Sequence, residues 1–163
     1  MDTKVSIITP NYNSGGSLRN IYDKLKLSQL EWEWLVIDDG STDNSFANLE
    51  AQVAGDARVV LLRNLKGKGA GSARQVGIDC ATGSTVFFLD ADDYWDEGKM
   101  EEQLAYHKDL NLDFSCTGYR VLKSGKVTSY RDVVAAPTKI TKWIFLSKKY
   151  MVYCTSQHRH LSS

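Results

Sequence analysis

Short apolar runs alternate with amphipathic segments over the first part of the chain. The four apolar runs are residues 5–9, 34–37, 59–62 and 86–89. Each is short enough for a buried strand, and the segments between them carry apolar side chains at helical spacing. Strands that alternate with helices are typical of βαβ units around a parallel sheet. The pattern therefore predicts an α/β fold with a mostly parallel central sheet.

The limits of these elements follow from turn and capping residues. Pro10 is expected to end the first strand, and Ser17 to cap the helix that follows. Later helices are expected from about Ser45, through Cys80 after a glycine-rich loop, and over residues 99–108. Every predicted strand thus ends in a polar or glycine-rich loop. In a parallel sheet these loops share one edge, which is where open α/β sheets bind ligands.

The pattern changes after the fourth helix. Residues 114–122 and 127–130 predict an antiparallel hairpin around a Lys-Ser-Gly-Lys turn, and residues 150–155 a further short strand. We divide the chain into residues 1–112, an α/β region, and residues 113–163, which belong to the same domain.

The composition is that of a folded chain without an overall electrostatic field. Among 163 residues, 42% are hydrophobic and 25% are charged, with 20 Lys and Arg against 20 Asp and Glu. A disordered chain has lower hydropathy and higher net charge. Zero net charge does not attract polyanions, so no nucleic-acid partner is expected. The average hides an asymmetry, because no Asp or Glu follows Asp132 whereas five basic residues do.

Cysteine usage and the first residues predict a cytoplasmic protein. The three cysteines, Cys80, Cys116 and Cys154, form no Cys-x-x-Cys pair, as is usual in a reducing compartment. The chain begins without the basic and apolar segments of a signal peptide, and no run reaches the roughly 20 apolar residues that span a bilayer. Cys154 also lies near His158 and His160, but no zinc or nucleophile motif accompanies them, and a buried cysteine beside two solvated histidines is the preferred interpretation.

Three carboxylates in residues 90–93 are the most informative feature. Asp90, Asp92 and Asp93 follow a buried strand and repel one another unless a positive group joins them. A divalent cation with oxygen ligands is the natural partner, and it can also bind phosphates. The alternative is that Asp93 or Asp96 merely caps the next helix. The sequence favours a metal or phosphate site.

A second acidic loop, residues 38–43, follows the second strand. Its Asp-Gly-Ser sequence is common in turns, and Asp43 or Ser45 can cap the next helix. A carboxylate at this edge can instead accept a hydrogen bond from a base N–H or a ribose hydroxyl. Asp39 is the candidate for that role.

The glycine-rich loop brings backbone close to a ligand. It lacks the order of a P-loop, but Gly69, Gly71 and Arg74, followed by Asp90, partly match a dinucleotide fingerprint. An NAD-dependent oxidoreductase is therefore one alternative, weakened because Arg74 stands where the fingerprint has Gly or Ala. Arg74 is expected on the first turn of the next helix, where it can reach a phosphate or pair with the acidic loop.

Four stretches occur in a characteristic order: residues 5–13 (VSIITPNYN), 36–43 (VIDDGSTD), 69–77 (GAGSARQVG) and 88–95 (FLDADDYW). Together they closely resemble the family 2 inverting glycosyltransferases of the GT-A fold. The resemblance implies a Rossmann-like, nucleotide-sugar-binding fold that is truncated in its acceptor half. Residues 113–163 are then the hairpin and an incomplete acceptor-side region.

The resemblance also implies roles for individual residues. Thr9, Pro10 and Tyr12 would line the base, and Asp39 would bond its polar edge. The remaining donor-binding residues would lie near the ribose and diphosphate; they are Lys68, Arg74, Asp90, Ala91 and Asp92. Asp90 and Asp92 are the two acids of an Asp-x-Asp motif, and Asp92 would be the direct ligand of Mn²⁺ or Mg²⁺.

The implied reaction transfers a sugar, with inversion, from a nucleotide-sugar donor to a hydroxyl of a saccharide or lipid-linked acceptor. The expected donor is a UDP-sugar. The implied setting is bacterial surface polysaccharide synthesis at the inner face of the plasma membrane. A general base is needed, expected as a carboxylate well after the Asp-x-Asp motif. Since no Asp or Glu follows Asp132, no catalytic base is assigned, and weak or absent transfer is expected. A non-catalytic nucleotide- or sugar-binding remnant is the alternative.

Overall fold

The computed structural model describes residues 4–64, 69–110, 112, 114–123, 126–131 and 150–153. The strands are β1 Val5–Asn11, β2 Trp32–Asp38, β3 Val59–Arg63, β4 Thr85–Phe88, β5 Phe114–Cys116, β6 Tyr119–Lys123, β7 Lys126–Arg131 and β8 Tyr150–Tyr153. The helices are α1 Ser17–Leu25, α2 Ser45–Gln52, α3 Ala70–Cys80 and α4 Lys99–Asp109. Within these ranges, no helix is both long and apolar enough to cross a membrane.

Six strands form one sheet in the order β3-β2-β1-β4-β8-β5. Every neighbouring pair in it is parallel, which confirms the predicted parallel sheet. The chain builds outward from β1 through β2 to β3 and then crosses to the other side of β1 to form β4. The strand order therefore reverses between β1 and β4. Open α/β sheets bind ligands at such a reversal, outside the carboxyl ends of the strands.

The sheet is covered on both faces because successive strand residues point to opposite sides. On one face, Ile7, Trp34 and Phe87 are completely buried in a cluster that also contains apolar residues of α1, α2 and α4. On the other face, Ile8 and Leu35 are equally buried in a cluster with residues of α3. This layering explains the continuous apolar runs of the strands, since both faces lie in a core.

Helix α3 approaches the sheet more closely than a side chain permits. A Cβ atom on Gly77 would lie 2.5 Å from Cγ2 of Ile8 and 2.9 Å from Cδ1 of Ile37. Real Cβ contacts are essentially never below 3.0 Å. Glycine is therefore required at this position for packing rather than for backbone conformation.

Two expectations about the first elements are wrong. Strand β1 continues through Pro10 to Asn11, with Pro10 in register with Ile37 of β2. The Ile8 carbonyl accepts a hydrogen bond from the Leu89 N–H, so Ile8 faces β4. Pro10, two residues later, faces the same side, but the pairing with β4 ends at Ile8. The missing N–H of proline is therefore tolerated at this position. Ser17 is the first residue of α1 rather than its cap; the cap position is Gly16, without a side-chain hydrogen bond.

The later strands differ from the predicted hairpin. Among the described strands, only β6 and β7 pair antiparallel, with an irregularity at Val121 and Leu122. Strand β5 instead joins the main sheet, parallel to β8. The prediction of one strand over residues 114–122 is thus wrong, because the chain leaves the main sheet after Cys116. The predicted strand at residues 150–155 is confirmed as β8, for residues 150–153, and lies between β4 and β5.

A buried carboxylate ties together the edge of the sheet where the strands begin. Glu33 accepts hydrogen bonds from the Ser6 hydroxyl and the Thr82 N–H, both at 2.6 Å, and pairs with Lys4 at 2.8 Å. Burial opposes ionisation, but the Lys4 ammonium and the hydrogen bonds from Ser6 and Thr82 outweigh it and lower the pKa of Glu33 to about 2. The opposite edge, where β1 to β4 end, is called the carboxyl edge below.

Candidate functional site

At the carboxyl edge, side chains join the loop after β1 to the loop after β2. The Asn11 amide donates a 2.7 Å hydrogen bond to Asp38. The side-chain oxygen Oδ1 of Asn13 accepts hydrogen bonds from the backbone N–H groups of Thr42 and Asp43, at 2.8 and 3.2 Å. Asn13 has a φ of 50°, a backbone conformation that asparagine adopts more readily than most residues. The two loops are therefore held as one unit.

The cap position of α2 is Asn44 rather than Asp43 or Ser45, which the sequence suggested, but the Asp43 side chain still binds the start of the helix. Its carboxylate accepts the N–H of Ser45, the first residue of α2, at 3.0 Å and the N–H of Gly15 at 3.1 Å. Several hydrogen bonds lower the pKa of Asp43, and the 2.5 Å bond from the Ser45 hydroxyl has the largest effect. Asp43 thus supports the loops, and Asp39 remains the candidate ligand of this segment.

The Asp39 carboxylate is half-buried and oriented by two donors. Its Oδ1 accepts a 2.7 Å bond from Nδ2 of Asn64, and its Oδ2 accepts a 2.8 Å bond from the N–H of Gly69. The Asp39 N–H donates to the carbonyl of Asn11 at 2.8 Å. Gly69 adopts a φ of 86°, which favours glycine. The ends of β1, β2 and β3 and the start of α3 therefore all contact Asp39.

Sequence reasoning missed Asn64, Asn11 and Asn13 as site residues. Each lies within four residues after the end of a predicted strand, on the ligand-binding side of the sheet, which is the signal that could have identified them. Asparagine offers both a donor and an acceptor without adding charge. It therefore suits an edge that already carries several carboxylates.

The residues expected to line a base differ in exposure. Thr9 is completely buried, and its hydroxyl accepts a 2.9 Å bond from the Trp34 indole N–H. Pro10 is also buried, whereas Tyr12 is 64% exposed. Of the three, Tyr12 thus presents its side chain to an approaching ligand, and a base contact by Thr9 or Pro10 stays a prediction. Lys68 lies outside the described residues.

The three aspartates after β4 have different surroundings. The Asp90 side chain is 39% exposed and accepts a 2.5 Å hydrogen bond from Nη2 of Arg74. Asp92 is exposed, while Asp93 is only 3% exposed. Ala91 between the first two is buried. Asp90 and Asp92 are therefore the acids that a ligand can reach.

The helix-capping alternative for this loop is not supported. The cap position of α4 is Gly98, which adopts the left-handed conformation, and no side chain caps the helix there. The Asp96 side chain accepts a hydrogen bond from Arg120 instead. The sequence predicted Arg74 on the first turn of α3, but it lies in the second turn. Its predicted pairing with the acidic loop is present. In the described part of the chain, its buried Nε makes no hydrogen bond.

No three His, Cys, Asp or Glu side chains gather as a metal cage within the described residues. The available oxygens of Asp90 and Asp92 are hard ligands that suit Mg²⁺ or Mn²⁺. Mg²⁺ in particular is usually held by one or two carboxylates and completed by substrate phosphates. The donor set therefore fits a metal that arrives with a phosphate-bearing ligand.

Trp95 is a packing residue beside the acidic loop. It is 7% exposed, and its ring packs edge-on against Phe87 with centroids 5.7 Å apart. Cys80 and Cys116 are free thiols. The three tail residues weighed as a zinc or nucleophile site lie outside the described residues; they are Cys154, His158 and His160.

The fold and the carboxyl edge define an α/β protein of the Rossmann-like GT-A type, with acidic and amide side chains gathered where the strand order reverses. The family model described as "Glycosyl transferase family 2" matches residues 6–159. The chain therefore belongs to glycosyltransferase family 2, as its sequence resemblance implied.

Two bacterial relatives have names that state their substrates. WfgD of Escherichia coli, a UDP-Glc:alpha-D-GlcNAc-diphosphoundecaprenol beta-1,3-glucosyltransferase, is 37% identical over 142 residues, covering 86% of this chain and 54% of WfgD. WfaP of Escherichia coli has the same named activity and is 29% identical over 137 residues, covering 83% of this chain and 53% of WfaP. The chain thus spans little more than half the length of either relative.

A solved structure supports the same fold. The crystal structure of S. aureus TarS 1-349 in complex with UDP-GlcNAc superposes with a TM-score of 0.66 at 25% identity. The match covers 76% of this chain and 36% of that one. The shared region is again only one part of a longer chain.

Proposed function

We propose that the chain forms the donor-binding part of an inverting glycosyltransferase that uses a UDP-sugar. The observation that carries the proposal is the arrangement of the carboxyl edge. There, Asp39 and the reachable acids Asp90 and Asp92 lie at the ends of strands on either side of the point where the strand order reverses. The names of WfgD and of the TarS complex support a UDP-sugar as donor.

The donor would contact this edge from its base to its diphosphate. Tyr12, with its exposed ring, would pack against the base, and Asp39 would accept a hydrogen bond from the polar edge of the base. Thr9 and Pro10 would support this end from the strand beneath. Arg74 would donate to the diphosphate, because a guanidinium offers several N–H groups to anionic oxygens. Lys68 is proposed for the same region from the family resemblance.

A divalent cation completes the proposal. Asp92 would bind Mn²⁺ or Mg²⁺ directly, with Asp90 beside it and phosphate oxygens supplying further ligands. When bound, the cation would offset the negative charge that grows on the departing nucleoside diphosphate. The chain's own contribution is to hold Asp90 in place through Arg74 and to keep Asp92 exposed.

The acceptor side rests on the relatives and on the resemblance. The names of WfgD and WfaP support a lipid-linked saccharide as acceptor. Surface polysaccharide synthesis at the inner face of the plasma membrane is proposed from the family resemblance. Residues 1–112 would form the donor region and residues 113–163 part of the acceptor side. No general base is proposed, because the chain carries no Asp or Glu after Asp132.

Calorimetric titration tests the proposal. The purified chain is titrated with UDP, with GDP and with NAD, each with and without Mn²⁺, and transfer from UDP-sugars is then assayed. We expect UDP to bind in a Mn²⁺-dependent manner, while transfer by this chain is weak or absent. Binding of NAD without any effect of metal would instead support the oxidoreductase alternative. Robust transfer would show that a base is present and would exclude a non-catalytic remnant.

A further inference from the structure

We propose that Asn64 is a positioning residue that orients the Asp39 carboxylate and thereby determines which base the site accepts. The inference rests on the proposed function, in which Asp39 receives the polar edge of the base. Asn64 lies immediately after β3 and is 9% exposed. Its side chain is therefore held almost entirely inside the protein, where it bonds to Asp39 and Ser72.

The two amide hydrogens of Asn64 have two different acceptors. Nδ2 lies 2.7 Å from Oδ1 of Asp39 and 3.3 Å from the Ser72 hydroxyl. The backbone N–H of Asn64 donates to the carbonyl of Asp38 at 2.7 Å. A reversed amide would place its carbonyl oxygen against the carboxylate oxygen, so the hydrogen bonds themselves define the orientation of the side chain.

Neighbouring acids at the end of β2 are each held by an asparagine from a different strand. Asn11 of β1 donates to Asp38, and Asn64 at the end of β3 donates to Asp39, both at 2.7 Å. Asp38 is 5% exposed, whereas Asp39 is half-buried and open to a ligand. The first pair therefore stabilises the loop, and the second fixes an acceptor that faces the site.

The fixed carboxylate has a chemical consequence for the ligand. Each of its oxygens already accepts one hydrogen bond, from Asn64 and from Gly69, and each has a further lone pair. An ionised carboxylate only accepts, so the matching group on the ligand must be a donor. Uracil carries a ring N–H between two carbonyl groups, and guanine also carries a ring N–H. The corresponding ring nitrogen of cytosine is an acceptor, which Asp39 repels.

Without Asn64, the Asp39 carboxylate keeps, among the described residues, only the Gly69 bond, and it can rotate about its last torsion. A rotating carboxylate loses alignment with the ring N–H of uracil and also repels cytosine less consistently. The preference for uracil should therefore fall, rather than the affinity for both nucleotides alike. This separates a positioning role from a purely structural one, which would weaken both ligands equally.

The test measures UDP and CDP affinities, with Mn²⁺, for the wild-type chain, Asn64→Ala and the control Ser72→Ala. Ser72→Ala removes the 3.3 Å bond to Asn64 and leaves the contact between Asn64 and Asp39. We expect the wild type to prefer UDP. Asn64→Ala should weaken UDP binding about tenfold, the size of one lost hydrogen bond to a charged group, and change CDP binding by less than about twofold. Ser72→Ala should keep the preference of the wild type.

A second variant keeps the test decisive if Asn64→Ala unfolds. Asn64→Asp retains the shape and the backbone bond, but it sets an acceptor against Asp39, so the UDP preference should again be lost; thermal midpoints report folding. An unchanged ratio of UDP to CDP affinity in the folded variants would overturn the inference alone. A wild-type chain that binds neither nucleotide would overturn the proposed function and the inference together.

Discussion

The Arg74 guanidinium donates a 2.5 Å hydrogen bond to the carboxylate of Asp90, joining α3 to the end of β4. The pair is only partly exposed, with 22% of the Arg74 side chain and 39% of the Asp90 side chain accessible. The contact offsets one of the charges in the acidic loop. It leaves Asp92 as the exposed carboxylate.

Replacing Arg74 should weaken nucleotide binding. Arg74→Met removes the partner of Asp90 and the proposed donor to the diphosphate, and we expect a loss of about tenfold or more in UDP affinity. Arg74→Lys keeps the charge but not the planar group of N–H donors, so it should recover only part of the affinity. Calorimetry measures both, and wild-type affinity in Arg74→Met would exclude the proposed contact.

Asp92 should carry the metal dependence of binding. With Asp92→Asn, we expect Mn²⁺ to no longer increase UDP affinity, because an amide oxygen is a weaker ligand than a carboxylate for a divalent cation. Asp96→Asn is the matched control: Asp96 is also exposed and lies four residues later, but it binds Arg120. Titrations with and without Mn²⁺ compare the two. Equal metal dependence in both variants would contradict the assignment of Asp92.

Glu33 should make the fold sensitive to acid. Its pKa is lowered to about 2 in the folded chain from 4.5, so its contribution is complete above pH 4.5 and is lost as the pH falls towards 2. The shift corresponds to about 3 kcal/mol in the free energy of unfolding. Glu33→Gln should lose less stability over this window. Urea unfolding at several pH values measures the difference, and parallel curves for the two proteins would refute it.

Two glycines of α3 should respond oppositely to alanine. Gly77→Ala brings a Cβ to 2.5 Å from Ile8 and should reduce the free energy of unfolding by about 1 to 3 kcal/mol. At Gly71 nothing lies within 4 Å of the new Cβ, so Gly71→Ala should be neutral or stabilise by up to about 1 kcal/mol. Urea midpoints measure both changes. A Gly77→Ala variant as stable as Gly71→Ala would show that α3 can move away from the sheet.

Local patterns predicted the elements at the site well. Errors arose where the extent or the sheet of a strand depends on the neighbouring strand with which it pairs. Pro10 was expected to end β1, but the strand continues because no β4 residue needs its missing N–H. Residues 114–116 have the same strand character as residues 119–123. Only pairing with β8, more than 30 residues away along the chain, brings β5 into the main sheet.

The sequence by itself determined the order of strands and helices, the parallel sheet and the edge at which the polar loops lie. These follow from hydrophobic spacing and from the way βαβ units connect, both of which are local properties. Tertiary structure alone decided that Asn64 holds Asp39 and that the Thr9 hydroxyl accepts a hydrogen bond from the Trp34 indole. Each of these contacts joins residues 25 positions apart, so it depends on how the strands align in space.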